Sequence, residues 1–219
     1  MTGRETEIKV LTGLKGENRK WADANRRLLQ ENRVCMVNFI GGPGCGKTEL
    51  LCRLVPELGG GRRVAVLEGD VATRYDAERI AAVGAGVAQL VTGGACHLEA
   101  KLVHAGLREL PLSAVDFVFV ENVGNLVCPA EFDIGEDAKI AVLSAAEGED
   151  KPEKYPLVFR LARAVIITKT DLLPHLQVDT ARLEKSLRRV NREVPILYTS
   201  AVRGEGIAEV AELIRGLRG

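Results

Sequence analysis

The stretch Gly41-Gly42-Pro43-Gly44-Cys45-Gly46-Lys47-Thr48 follows an apolar run, RVCMVNFI at 33–40, and precedes ELLCRLV. A buried strand, a glycine loop and a helix opening at Lys-Thr form the context of the GxxxxGK[ST] phosphate-binding loop. The glycines let backbone N–H groups wrap phosphate oxygens. Lys47 can reach the β and γ oxygens, and the Thr48 hydroxyl can ligate Mg²⁺. Glu49 completes the candidate nucleotide-binding stretch. No other feature restricts the fold so strongly, because such a loop works only where a strand ends and a helix starts.

The rest of the chain keeps this rhythm. RRVAVLEG, VAQLV, VDFVFVE, KIAVLSAA, RAVIIT and VPILYTSA read as six further strands. Helices fall between them, one over roughly 97–110 and a terminal one in GIAEVAELIRGL. Alternating strands and helices predict an α/β fold: a mostly parallel seven-stranded sheet with helices on both faces, of the P-loop NTPase type. Ligands then bind at the carboxyl ends of the strands. The 219 residues suit one domain, 1–219, with 1–32 as a charged helical extension. Within that extension, residues 15–31 place Trp21, Ala24, Leu28 and Leu29 on one apolar stripe, as in a helix lying on the domain surface. The 30 basic and 30 acidic residues balance, so nothing points to nucleic acid or an anionic membrane. The start lacks a signal-peptide core and no apolar run is long enough to span a bilayer, so the expected location is the cytosol. Five cysteines, an odd number at scattered spacings, are expected to be buried, metal-bound or reactive rather than disulfide-paired.

Two elements select the base. Thr168-Lys169-Thr170-Asp171 ends the strand RAVIIT and resembles the [NT]KxD element of guanine-nucleotide proteins. There the aspartate accepts hydrogen bonds from the ring N–H and the exocyclic amine of guanine, and the lysine stem packs on the base. Thr168 stands where asparagine is commoner, which predicts weaker support for the loop. Ser200-Ala201 resembles the element whose backbone meets the guanine oxygen. Three acids remain. Glu121 ends VDFVFV, where P-loop proteins carry a metal-linked acid, and Glu121-Asn-Val-Gly124 stands in place of DxxG. Asp70 and Asp76 lie in EGDVATRYDAERI. One would help hold Mg²⁺ or its waters and the other would orient the attacking water. For Asp76, a plain role at the start of a helix is an equal alternative.

Glu121 is followed seven residues later by Cys128. With Cys96 and His97 this gives two thiols and an imidazole, plausible ligands for zinc or nickel. Read as a helix N-terminus, the Cys96 position would favour thiolate. On a helix, however, adjacent Cys96 and His97 diverge by about 100°. His104 lies about 10 Å further along that helix and reads as a surface or interface residue. Cys35 and Cys52 read as core residues, Cys45 is undecided, and His175 is a loop residue.

The stretches GDVATRYDAERI, GGACHLEAKLV and ENVGNLVCPAEFDIGE closely resemble the nickel-incorporation GTPases of hydrogenase maturation, the HypB family. The likeness runs from the phosphate loop nearly to the end. It implies a SIMIBI-type GTPase that uses GTP/GDP and Mg²⁺, binds Ni²⁺ or Zn²⁺ and forms a homodimer in a GTP- and metal-dependent way. It also implies partners: a nickel chaperone of hydrogenase maturation and the hydrogenase large subunit. Its regulatory metal ligands match Cys96, His97 and Cys128. The first 34 residues hold no Cys and no His, so a separate N-terminal nickel motif is not expected. The urease-maturation GTPase is the nearest alternative, matching these stretches less well. A regulatory GTPase without metal cargo, or a small-molecule kinase on the same loop, are the others. Three ligands fall short of zinc's usual four, which predicts metal shared across a twofold axis.

Overall fold

The structure, a computed structural model, describes residues 3–59, 63–69 and 75–218. Asp70 lies outside the described residues. The first half of the chain runs α1 (Gly3–Asn32), β1 (Cys35–Gly41), α2 (Lys47–Glu57), β2 (Val64–Glu68), α3 (Tyr75–Ala82), β3 (Gly86–Gln89), α4 (Ala100–Glu109), β4 (Phe117–Glu121) and α5 (Cys128–Glu131). The second runs β5 (Ala138–Ser144), α6 (Lys151–Lys154), α7 (Pro156–Leu161), β6 (Ala164–Thr168), α8 (Thr180–Val190), β7 (Ile196–Tyr198) and α9 (Ile207–Gly216).

The seven strands form one sheet, all pairs parallel, in the order β3-β2-β4-β1-β5-β6-β7. β1 is central because its seven residues are all buried, as a strand covered on both faces must be. Successive residues of a strand face opposite sides. Val37 and Phe39 of β1, with Val66, Phe119 and Val142, pack against Leu50, Leu51 and Leu54 of α2 and Val210 and Ile214 of α9. Met36, Leu67, Val118 and Val120 face the other way, toward Leu29 of α1 and Val103 and Leu107 of α4. Ile40, Leu143 and Ile167 extend that second face under Val158 and Phe159 of α7 and Leu187 of α8.

The α1 stripe differs from the sequence expectation. Ala22, Asn25 and Leu29 are the buried positions, whereas Ala24 and Leu28 are only partly covered. Asn25 misleads because a polar residue sits at the centre of the buried face. Its amide donates to Ala100 O at 2.9 Å and Ile134 O at 2.8 Å, and its oxygen lies 2.8 Å from Nδ1 of His104. His104 in turn meets the Trp21 ring at 5.0 Å between centroids. It is therefore an internal contact between α1 and α4. Asn25→Ala is expected to cost about 2–3 kcal/mol, because the two carbonyls lose their partner. A lower urea midpoint with unchanged nucleotide affinity is the expected measurement.

Candidate functional site

The phosphate loop bridges β1 and α2. Its turn needs glycine at Gly44 and Gly46, whose φ angles are 71° and 94°. A Cβ at Gly41 would lie 2.5 Å from Val142 O. Lys47 is buried, and its ammonium donates to Gly41 O at 3.3 Å and Gly42 O at 3.4 Å, curled into the loop. Cys45 is fully buried in the core beneath the loop, and burial pushes its thiol up to about 11. It packs rather than reacts. Burial, followed by Asp137, likewise lifts Cys35 to about 12. Burial also raises the partly covered Cys52. His175 is exposed.

The base elements close over this loop from the far side. Lys169 adopts the left-handed region, φ 58°, and its ammonium donates to Gly44 O at 2.6 Å. The Thr168 hydroxyl donates to Cys45 O, so the residue expected to support the loop weakly ties the phosphate loop to β6 directly. Ser200 is fully buried and its hydroxyl donates to Asp171 Oδ1 at 2.6 Å. Arg203 N donates to Ser200 Oγ at 3.2 Å, so the serine is itself oriented. Ala201 follows in a turn, and next to it Val202 is 75% exposed.

A cavity of about 580 Å³ runs along these elements, lined by Lys47, Thr48, Glu68, Asp76, Glu121 and Lys169 among others. The Thr48 hydroxyl donates to Glu121 Oε1 at 2.8 Å. Two hard oxygen donors this close can serve one Mg²⁺, so the pair fits the ion. Asp76 combines both sequence readings: it is a first-turn acid of α3 and it lines the cavity, with Arg79 3.6 Å away. The Glu49 carboxylate pairs with Arg79, which links α2 to α3. The sequence reading passed over Glu68. It ends β2 directly opposite Glu121 in the sheet register and lines the same cavity. The available signal was an acid at the end of a buried strand, the same signal that singled out Glu121.

At the end of β4 the chain divides its duties by strand geometry. Glu121 faces the phosphate loop. The next residue, the buried Asn122, also borders the cavity, but its side chain points to the opposite side and accepts a hydrogen bond from Leu98 N at 3.3 Å, one residue after His97. Gly124 then presses on the loop: a Cβ there would lie 2.9 Å from Pro43 Cα. Asn125 donates to Cys96 O at 3.2 Å, and α5 opens with Cys128.

Cys96, His97 and Cys128 converge within one chain. One ligand atom from each lies within 4.8 Å of the others. The expected helix over 97–110 starts only at Ala100, so Cys96 and His97 sit in a loop and the 100° divergence does not arise. No helix N-terminus acts on Cys96 either. Its thiol is held above the usual range, first by its hydrogen bond with Cys128. His97 Nδ1 lies 3.5 Å from Cys96 Sγ, and its ring stacks on Phe132 at 3.8 Å. Burial lowers its pKa, opposed by Glu99, which favours the neutral ring that ligates a metal. Two sulfurs and an imidazole suit a borderline-soft divalent ion, and the exposed Cys96 gives it a way in.

A parallel sheet with a phosphate loop after its central strand, and an Asp171–Ser200 pair beside it, defines a P-loop nucleotide-binding protein. Residues 36–198 match the family described as CobW/HypB/UreG, nucleotide-binding domain. The hydrogenase maturation factor HypB of Azotobacter vinelandii is 43% identical over 212 residues, covering 97% of this chain and 70% of that protein. The chain belongs to the HypB family of hydrogenase maturation factors. Two solved structures are similar throughout. HypB from Archaeoglobus fulgidus superposes with TM-score 0.87 at 32% identity, covering 93% of this chain and 100% of that one. HypB from Helicobacter pylori in complex with nickel gives 0.87 at 32%, covering 92% and 95%. Among the described residues, no helix is long and apolar enough to cross a membrane.

Proposed function

We propose that this chain hydrolyses GTP with Mg²⁺ and binds Ni²⁺ or Zn²⁺ at Cys96, His97 and Cys128, in the service of nickel insertion into [NiFe]-hydrogenase. One observation carries the reading. Consecutive residues at the end of β4, Glu121 and Asn122, touch the nucleotide cavity and the Cys96–His97 loop on opposite faces of the sheet. A displacement of that strand end by nucleotide therefore reaches the metal donors through a single peptide. The nickel bound to the similar Helicobacter pylori protein supports the metal assignment.

In hydrolysis Lys47 would neutralise the β and γ oxygens, while Thr48 and Glu121 would hold Mg²⁺. That ion, when bound, supplies charge stabilisation to the transferring phosphoryl group. Asp76 and Asp70 are the candidates to hold the ion's waters and orient the attacking water. Glu49 contributes from the first turn of α2. Gly124 matters for its close seat against Pro43, through which a change at the phosphates reaches Cys128.

Assembly completes the reading. Three donors meet within one protomer, and zinc usually takes four, so a partner subunit or water supplies the last. GTP with Mg²⁺, and Zn²⁺ or Ni²⁺, are each expected to shift the chain from monomer to homodimer, and by linkage the dimer binds metal differently. Nickel would arrive from a chaperone protein and leave to the hydrogenase large subunit. Replacing Cys96 and Cys128 together by Ala is expected to abolish the metal-driven mass shift while GTP binding persists. Light scattering after size exclusion measures this. A wild type whose mass ignores nucleotide and metal would overturn the assembly reading, and one that binds no metal would overturn the metal assignment.

A further inference from the structure

The geometry points to Lys139 as a positioning residue for the three metal donors, acting from beneath the site through two backbone carbonyls. This rests on the metal assignment above.

Lys139 lies on β5 directly opposite Asn38 of β1 and faces the same side of the sheet. Its ammonium donates to Phe132 O at 2.8 Å and more weakly to Pro129 O at 3.5 Å, and pairs with Glu136 Oε1 at 2.7 Å. The three N–H groups of the ammonium are thereby all committed. The side chains of Lys139 and Glu136 are 14% and 4% exposed, so the pair is sheltered from water. Removing ions from water is costly, and a structural core would be served as well by apolar residues. What this pair adds is its grip on two particular carbonyls.

Those carbonyls flank the site. Pro129 follows Cys128, and Phe132 carries the ring that stacks on His97. Pro129 is the second residue of α5, which has only four, and Phe132 follows its end. A single turn cannot hold itself together, and its last carbonyls have no partner within the helix. Lys139 supplies one. The same Glu136 continues the chain of contacts. Its Oε1 accepts from Asn38 Nδ2 at 3.3 Å, and Asn38 Oδ1 accepts from Asn122 Nδ2 at 3.1 Å. Asn122 Oδ1 holds Leu98 N, beside His97. The Cys128 limb and the Cys96–His97 limb are thus moored to one buried polar row.

The test uses Co²⁺ as the probe, followed by its thiolate-to-metal absorption, on the full chain. Lys139→Met is expected to weaken Co²⁺ binding by about 10–100-fold, the usual cost of losing an outer support of a metal site. The absorption band should shift, because the donors no longer converge. Affinity for a fluorescent GTP analogue should stay unchanged, since none of the three residues that Lys139 contacts lines the nucleotide cavity. Lys139→Arg should recover most of the Co²⁺ affinity. Lys139→Met leaves Glu136 buried without its ammonium, which can unfold a protein. The double variant Glu136→Gln/Lys139→Met removes both charges and still loses the carbonyl anchor, so the same weakening is expected in it. Wild-type Co²⁺ affinity and band position in the double variant, with nucleotide binding intact, would overturn the proposal. If the wild type itself binds no Co²⁺, or binds it equally well after Cys128→Ala, the metal assignment fails first and this inference falls with it.

Discussion

Lys47→Ala is expected to lower GTP turnover by at least about 10²–10³-fold, the scale seen when one preorganised charge-stabilising donor is removed from an active site. The ammonium is buried at the foot of the cavity, and its two loop hydrogen bonds, at 3.3 and 3.4 Å, are long. Long bonds are easily exchanged for shorter ones to phosphate oxygens, so the lysine is placed to follow the charge as it develops. Alanine cannot do so. The fold should survive, because α2 is anchored by Leu50, Leu51 and Leu54 on its core face, and the glycine turns do not depend on the side chain. Single-turnover hydrolysis measured beside a thermal midpoint separates the two effects. Retained turnover in a folded variant would place the chemistry elsewhere.

Asp171→Asn is expected to weaken GTP binding by about 10²–10⁴-fold, the loss of two hydrogen bonds to a charged acceptor. The same change should turn preference toward xanthosine triphosphate. Ser200 decides the sign of this switch. Its hydroxyl donates to Oδ1 at 2.6 Å and is itself held by Arg203 N, so that oxygen stays committed. In the asparagine variant the Oδ1 position keeps its role, and the amide nitrogen is what the base meets. A donor facing the N–H and amine of guanine is repelled, whereas xanthine offers a carbonyl there. Competition between the two triphosphates for a fluorescent analogue reads the swap directly. An unchanged GTP affinity would remove Asp171 from the base contact.

The features legible in the sequence were those whose physics is local. A glycine loop between an apolar run and Lys-Thr specifies its own conformation. So does the alternation of strand and helix, because burial on both faces writes itself as continuous apolar runs such as residues 117–120. The thiols and the imidazole could be named for the same reason, as residue types with metal chemistry. Their arrangement could not. Cys96 and His97 read as the first turn of a helix, but they lie in a bend and the helix waits until Ala100, with Leu98 N and the Cys96 carbonyl held by Asn122 and Asn125.

Those partners are remote in sequence, and remoteness explains the remaining differences. Asn38 is a polar residue within the apolar strand β1, and Asn25 a polar residue on the buried face of α1. Each is polar because of groups 75–109 residues away: Asn122 and Glu136 for the first, Ala100, His104 and Ile134 for the second. Glu68 and Lys139 acquire meaning only from the parallel register that sets them opposite Glu121 and Asn38. The sequence by itself determined the P-loop fold and the nucleotide-binding family, and it named candidate metal donors, because each follows from short-range periodicity or residue type. Only the tertiary structure decided that the three donors meet in one chain and that Glu121 and Asn122 serve opposite faces of the sheet. Both depend on which strands become neighbours and in what register, and pairings across the chain leave no trace in local periodicity.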